Sequence, residues 1–148
     1  MIKVFFLSTL PVTELRGAIP VGLNIYNLPV LPTYIFAVLG NIIPALFLLM
    51  YLKSFSEFLR KWPIFDIFFS WLFRRTGKYE KKYEKYGALF LFFFVAIPFP
   101  GTGVWTGSVA AFLFGIRFCY AFPMMVGGVV IAGIVITLAN MGLINLFT

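Results

Sequence analysis

The sequence contains no histidine, a single cysteine (Cys119) and only five acidic residues in 148. The missing histidine removes the commonest metal ligand together with the commonest general base. One cysteine cannot form a disulfide within the chain, so cysteine usage says nothing about redox compartment. Charged residues make up 11% of the chain, against roughly a quarter in soluble domains, while 61% is apolar and the mean hydropathy is +0.99. A water-soluble globule is excluded. Disorder is excluded as well, because 20 Phe, 7 Tyr and 3 Trp are far more aromatics than a disordered chain carries. The length allows one small domain, 1–148, and the bilayer is its solvent.

The few charges are gathered in one place. Nine of the twelve cations and four of the five anions lie between Lys53 and Lys85. Residues 17–51, 86–116 and 118–148 carry no formal charge, and each stretch exceeds the ~20 apolar residues needed to cross a bilayer. A short loop rich in positive charge marks the cytoplasmic side, so segment 53–86 is expected there, in a multi-pass protein. Anionic lipid headgroups are the expected partner of this cluster. Nucleic acid is not, because membrane-grade sequence flanks it on both sides. The apolar run Val4–Leu10 stops at Pro11 without a cleavage site of small residues and is read as retained.

Two apolar stretches are cut short. Pro11, Glu14, Arg16, Gly17 and Pro20 interrupt the first, and a short apolar helix from Ala18 to Tyr26 follows before Asn27, Pro29 and Pro32. Pro98, Pro100, Gly101 and Gly103 interrupt the second after Ile97, and a short helix from Val104 to Gly115 follows. Proline removes a backbone donor and kinks a helix, and none of the flanking pieces is long enough to span. Clean spans are expected at 33–52 and 118–148, the latter with Pro123 in its first turn. The expected fold is an all-α integral membrane protein of two inverted repeats. Each repeat is a re-entrant hairpin (1–32 and 87–117) followed by a span, and segment 53–86 joins the two. A shift of 87 residues superposes Pro11 on Pro98, Gly40 on Gly127 and Ala45 on Ala132. Two halves of opposite orientation meeting at the midplane follow the inverted-repeat logic of secondary transporters. Kinked but continuous spans are the competing explanation of single prolines such as Pro44.

Candidate function follows the breaks, because irregular backbone at membrane depth is tolerated only when protein covers it or it lines a watery cavity. Glu14 and Arg16 form the one ionisable pair at such a break, and charges there cost at least ~2.5 kcal/mol each. Glu14 is a candidate proton or cation site and Arg16 a candidate anion holder. The plainer alternative has Glu14 capping a helix at headgroup level and Arg16 snorkelling to phosphates. Gly17 and Pro20 complete the first set. The second set is Pro98, Pro100, Gly101, Thr102, Gly103, Trp105, Thr106 and Gly107, uncharged but rich in hydroxyls and in backbone amides near a helix start. Gly103, Gly107, Ala111 and Gly115 recur every fourth residue, a stripe that lets another helix approach closely. No metal site and no cofactor are expected. On a helical wheel Lys78, Lys81, Lys82 and Lys85 share one face and Tyr79, Tyr83 and Tyr86 another, which fits an interfacial helix on anionic lipid. The apolar run Pro63–Phe73, with Trp62 just before it and Trp71 near its end, is too short to span and is placed in the interface or against the hairpins.

Glu14-Leu-Arg-Gly-Ala-Ile-Pro20 together with Pro98-Phe-Pro-Gly-Thr-Gly-Val-Trp-Thr-Gly107 resembles the small multidrug export protein family, itself similar to the DedA/VTT membrane proteins. The resemblance covers nearly the whole chain. It implies two re-entrant hairpins facing each other, an acidic residue in the first (Glu14), and residence in the cytoplasmic membrane of a prokaryote. It also implies an arginine in or beside the second hairpin, where this chain has none between Lys85 and Arg117 unless Arg16 takes the part. The expected function is a small transporter, not an enzyme. Its small-molecule or lipid substrate binds at the facing hairpin tips, with protonation of Glu14 as a possible drive and a homodimer as the expected assembly. A lipid flippase or scramblase is the nearest alternative, and a structural or assembly subunit the next. A transporter calls for a polar cavity reaching Glu14 and Arg16, whereas a structural subunit calls for closed tips with both charges satisfied internally.

Overall fold

The computed structural model describes residues 1–59, 61–76 and 81–147. Lys78 and Tyr79 lie outside them, as do the side chains of Lys81, Lys82 and Tyr83, so most of the expected lysine and tyrosine faces is not seen. Among the described residues every regular element is helical: α1 (Ile2–Thr9), α2 (Glu14–Pro20, prolonged by a π-helical turn Val21–Ile25), α3 (Val30–Leu59), α4 (Pro63–Thr76), α5 (Lys81–Ala96), α6 (Val104–Leu113) and α7 (Phe118–Phe147).

The long helices α3 and α7 pack on each other and form the frame. Within them Val30–Leu52 and Phe118–Leu143 are long and apolar enough to cross a bilayer. Only 33% and 39% of those windows are buried, and Phe47, Met50 and Leu138 are each more than half exposed. An apolar surface that protein leaves uncovered on both long helices is what lipid covers. The membrane assignment therefore rests on surface as well as on length.

Each long helix carries one short helix along its length. α1 packs on α3, and α5 packs on α7. The contacts are closest at glycines: a Cβ at Gly40 would run into the carbonyl of Phe5, and one at Gly128 would lie 2.8 Å from the carbonyl of Phe92. A side chain at either position would push a short helix off its frame. Gly22 of the π turn lies against Val4 and Thr33, so α2 returns to the level at which α1 begins. In the other half Gly107 lies against Val95 and Met125, and Gly87 against Ile116. Crosswise packing closes the bundle, α6 on α3 and α2 on α7.

Several expected boundaries move. The first long helix starts at Val30 and runs on to Leu59, beyond the expected 33–52. Pro20 is not part of the break: it continues α2 with helical backbone (φ −59°, ψ −40°), and the chain widens into the π turn directly after it. The N–H missing at Pro20 would have met the Arg16 carbonyl in the first turn of α2, and the helix continues past it with the Val21 amide bonded back to Gly17 and Ala18. The segment boundary at 86/87 disappears, because α5 runs unbroken from Lys81 through Gly87 to Ala96. A lone glycine costs a helix only about 1 kcal/mol, and the first strong stop is Pro98. Pro123 falls in the second turn of α7, not the first.

Candidate functional site

The first bend spans Leu10 to Thr13. Leu10 is extended (φ −75°, ψ 142°), and the Thr13 hydroxyl ties the bend back by donating to the Leu7 carbonyl. Glu14, the next residue, adopts φ +44°, a left-handed conformation that costs a side-chain-bearing residue free energy and collects at functional positions. Its side chain is 7% exposed. The second bend runs from Ile97 to Gly103, with Gly101 at φ +87°.

The two bends complete each other. The Glu14 carboxylate sits on the backbone of Gly103, in the space a side chain there would fill, and its Oε1 accepts from the Trp105 amide at 3.5 Å. Gly103 is the N-cap of α6 and has no side chain to cap it, so a carboxylate from the other bend does so, where the positive end of the helix dipole favours an anion. The Gly103 amide is held separately by the Thr106 hydroxyl at 2.9 Å. Arg16 does the converse at the end of α5. Its Nη1 donates to the Phe99 carbonyl, and its Nη2 donates to the Ile97 carbonyl at 3.3 Å and to the Thr102 hydroxyl at 3.0 Å. A cation thus lies at carbonyls just past a helix C-terminus, the favourable end for it. Thr102 reinforces the bend, its hydroxyl 2.8 Å from the carbonyl oxygens of both Ile97 and Phe99. Burial raises the Glu14 carboxyl above the usual carboxylate range, opposed by the amides of Trp105 and Val104 and by Arg16.

Trp105 links this contact to the rest of the bundle. Its indole N–H donates to the Thr9 carbonyl at 3.3 Å. Its ring lines a cavity of about 380 Å³ with Pro44, Phe47, Leu48, Tyr51, Leu52 and Phe55. That cavity is almost wholly apolar, and neither it nor a second one of about 410 Å³ beside Lys3 and Tyr26 is lined by Glu14 or Arg16. The polar cavity expected at the charged pair is not among them.

Glu14, Arg16, Thr102, Gly103, Trp105 and Thr106 are brought together. Gly17 lies against Thr13 at the base of the bend, and Pro20 is a helical turn and a half away. Pro98, Pro100 and Gly101 shape the second bend from its exposed side. Gly107 packs within its own half, and Gly115 ends α6 with open space around it. Sequence reasoning missed the carbonyls of Thr9, Ile97 and Phe99, which carry no residue-type signal. It also passed over Asn24 and Asn140, whose amides bond each other across 116 positions at 3.0 Å, and buried Asn41. An amide side chain inside a charge-free apolar stretch was the available signal. Among the described residues no group of three His, Cys, Asp or Glu is placed to hold a metal ion.

Residues 14–135 match the model of the family described as "putative small multi-drug export protein", and the chain belongs to that family. The matched range begins at Glu14, directly after the first bend, and takes in the second. No curated protein and no solved structure matches the chain.

Proposed function

We propose that this member of the small multidrug export family is a transporter whose two broken hairpins dip into the bilayer from opposite faces, with the substrate site where their tips meet. One observation carries the reading: Glu14 and Arg16, at the start of α2 just past the first bend, are bonded to the two helix ends that flank the second. The packing of α1 on α3 and of α5 on α7, with α6 crossing to α3 and α2 reaching α7, supports the inverted-repeat arrangement. Charges at such depth are rare and mark substrate or ion pathways. In this reading the structure is a conformation with the tips closed. Transport requires one hairpin and its long helix to rock against the other, exposing Glu14, Arg16 and the α6 N-terminus to substrate. Protonation of Glu14 removes the charge that holds the α6 end, which couples a proton to opening. The lysines of segment 53–86, Lys85 among them, hold anionic lipid heads on the cytoplasmic side, and the functional unit is a homodimer.

The internal pairing of both charges also favours a second reading, an assembly subunit with no substrate of its own. Reconstitution separates the two. Vesicles holding the protein are loaded with ethidium or carry a fluorescent phospholipid, and a pH gradient is imposed. Gradient-dependent ethidium movement that Glu14→Gln abolishes supports the transporter. Lipid exchange between leaflets without ethidium movement assigns a scramblase, and movement of neither probe overturns transport in favour of the assembly role.

A further inference from the structure

Two buried side-chain oxygens among the described residues have no hydrogen-bond partner, Thr33 Oγ1 and Asn41 Oδ1. Both belong to α3, and both side chains are at most 1% exposed. Thr33, Ala37 and Asn41 are spaced four residues apart, which stacks them about 6 Å apart along one side of the helix. The middle position is polar too, because the buried Ser8 hydroxyl of α1 donates to the Ala37 carbonyl. Just beyond Asn41, Pro44 offers no N–H to the carbonyl of Gly40.

Neighbouring contacts show what lies at each end of this seam. Thr33 lies against Gly22, near the end of α3 where the Asn24–Asn140 amide pair sits. Asn41 follows Gly40, which abuts Phe5 and Ser8, and it precedes Pro44, which shares a cavity wall with Trp105. Trp105 is the residue whose amide faces Glu14. On one flank of Asn41, Gly40 meets α1; on the other, Tyr34 and Val38 meet Gly133 of α7. Asn41 thus lies on the side of α3 between its contacts with α1 and α7, and α2 and α6, which carry Glu14 and the backbone it sits on, also pack on α3. Arg16 is the charged group beside Glu14. Lys3 of α1 is turned onto the Tyr26 ring, and the described residues of α6 and α7 carry no charge.

An orphaned polar oxygen in an apolar interior costs about 1–3 kcal/mol, and the usual partner of such a group is a held water molecule. Water held along such oxygens can hand protons on, and the buried acid on the neighbouring helix is a group that can receive them. We infer that the Thr33–Ser8–Asn41 seam carries protons, on water held by these oxygens, between the surface at the N-terminal end of α3 and Glu14. Each water accepts one proton and passes one on, so the only net change is at the Glu14 carboxyl, and nothing is oxidised or reduced. This deepens the transporter reading by giving the proton a route and a side, and it rests on Glu14 being the group that titrates.

The test follows Glu14 itself. The full chain is reconstituted in lipid, and the infrared carbonyl band of the protonated carboxyl, identified by its loss in Glu14→Gln, is followed after transfer to D2O. Thr33→Val and Asn41→Leu each slow its deuteration about tenfold or more, while Thr33→Ser and Asn41→Ser keep close to the wild-type rate. Exchange in Thr33→Val and Asn41→Leu within about twofold of wild type overturns the seam. Should Asn41→Leu fail to fold, Thr33→Val decides alone, because the oxygens act in series. A band absent from about pH 5 to 9 overturns the proton role of Glu14 itself, an outcome distinct from a titrating band whose exchange the variants leave unmoved.

Discussion

The Arg16 guanidinium and the Thr102 hydroxyl stand 86 positions apart in the chain and 3.0 Å apart in space. With the carbonyls of Ile97 and Phe99 on the same guanidinium, they bind the first bend to the end of α5. This contact predicts that Arg16→Lys is not conservative, since a lysine has no planar fork to spread over three acceptors. Double-mutant cycles of Arg16→Ala with Thr102→Ala, read by thermal unfolding in detergent, are expected to show a coupling of about 0.5–3 kcal/mol. Strict additivity would mean that the two side chains do not interact in the folded protein.

Gly103→Ala places a methyl group where the Glu14 carboxylate sits. The expected result is a destabilisation of about 1–3 kcal/mol. Gly142→Ala, whose added carbon meets nothing, is the control and is expected to be neutral or slightly stabilising. Equal melting temperatures for the two variants would contradict the placement of the carboxylate.

Glu14 predicts a pH dependence of transport. A carboxyl raised by burial gains its proton at higher pH than an exposed one, so the charge holding α6 is lost on the acid side of that raised value and present above it. Gradient-driven ethidium movement by the wild type is expected to change across that range. In Glu14→Gln the profile is expected to be flat, and a profile left intact by the substitution would remove Glu14 from the coupling.

Trp105→Phe keeps an aromatic ring in the apolar cavity and deletes the indole N–H on the Thr9 carbonyl. A loss of about 1 kcal/mol is expected, the ordinary net worth of one hydrogen bond. Trp105→Ala, which also empties the cavity wall, is expected to cost about 3–5 kcal/mol. Comparable melting temperatures for Phe and Ala would show that the ring packs on nothing.

The helical class, the two apolar spans and both bends were legible because proline, glycine and the absence of charge act locally on the backbone. Pro98 to Gly103 ends α5 where the composition says it should, and Glu14 and Arg16 stood out as ionisable residues at a break. Their partners were not legible. Gly103 reads as a flexible residue in a loop, and only the fold shows it as the seat of a carboxylate from the opposite bend. Carbonyls such as those of Ile97 and Phe99 exist at every position, so no residue type announces them. Pro20 misled because its fixed φ is itself helical, so α2 runs through it and into the π turn beyond.

The reciprocal capping of the bends bears on how the polypeptide is made. Ribosomal synthesis delivers Glu14 and Arg16 more than eighty residues before Ile97, Phe99 and Trp105 exist to receive them. Until then Glu14 and Arg16 lack the amide of Trp105 and the carbonyls of Ile97 and Phe99 that they bond in the folded chain. The contacts that Glu14 and Arg16 make with the second bend therefore form only after residues 97–105 have been synthesised. A gene cut between the halves would accordingly yield two fragments, each stable only when the other is co-expressed.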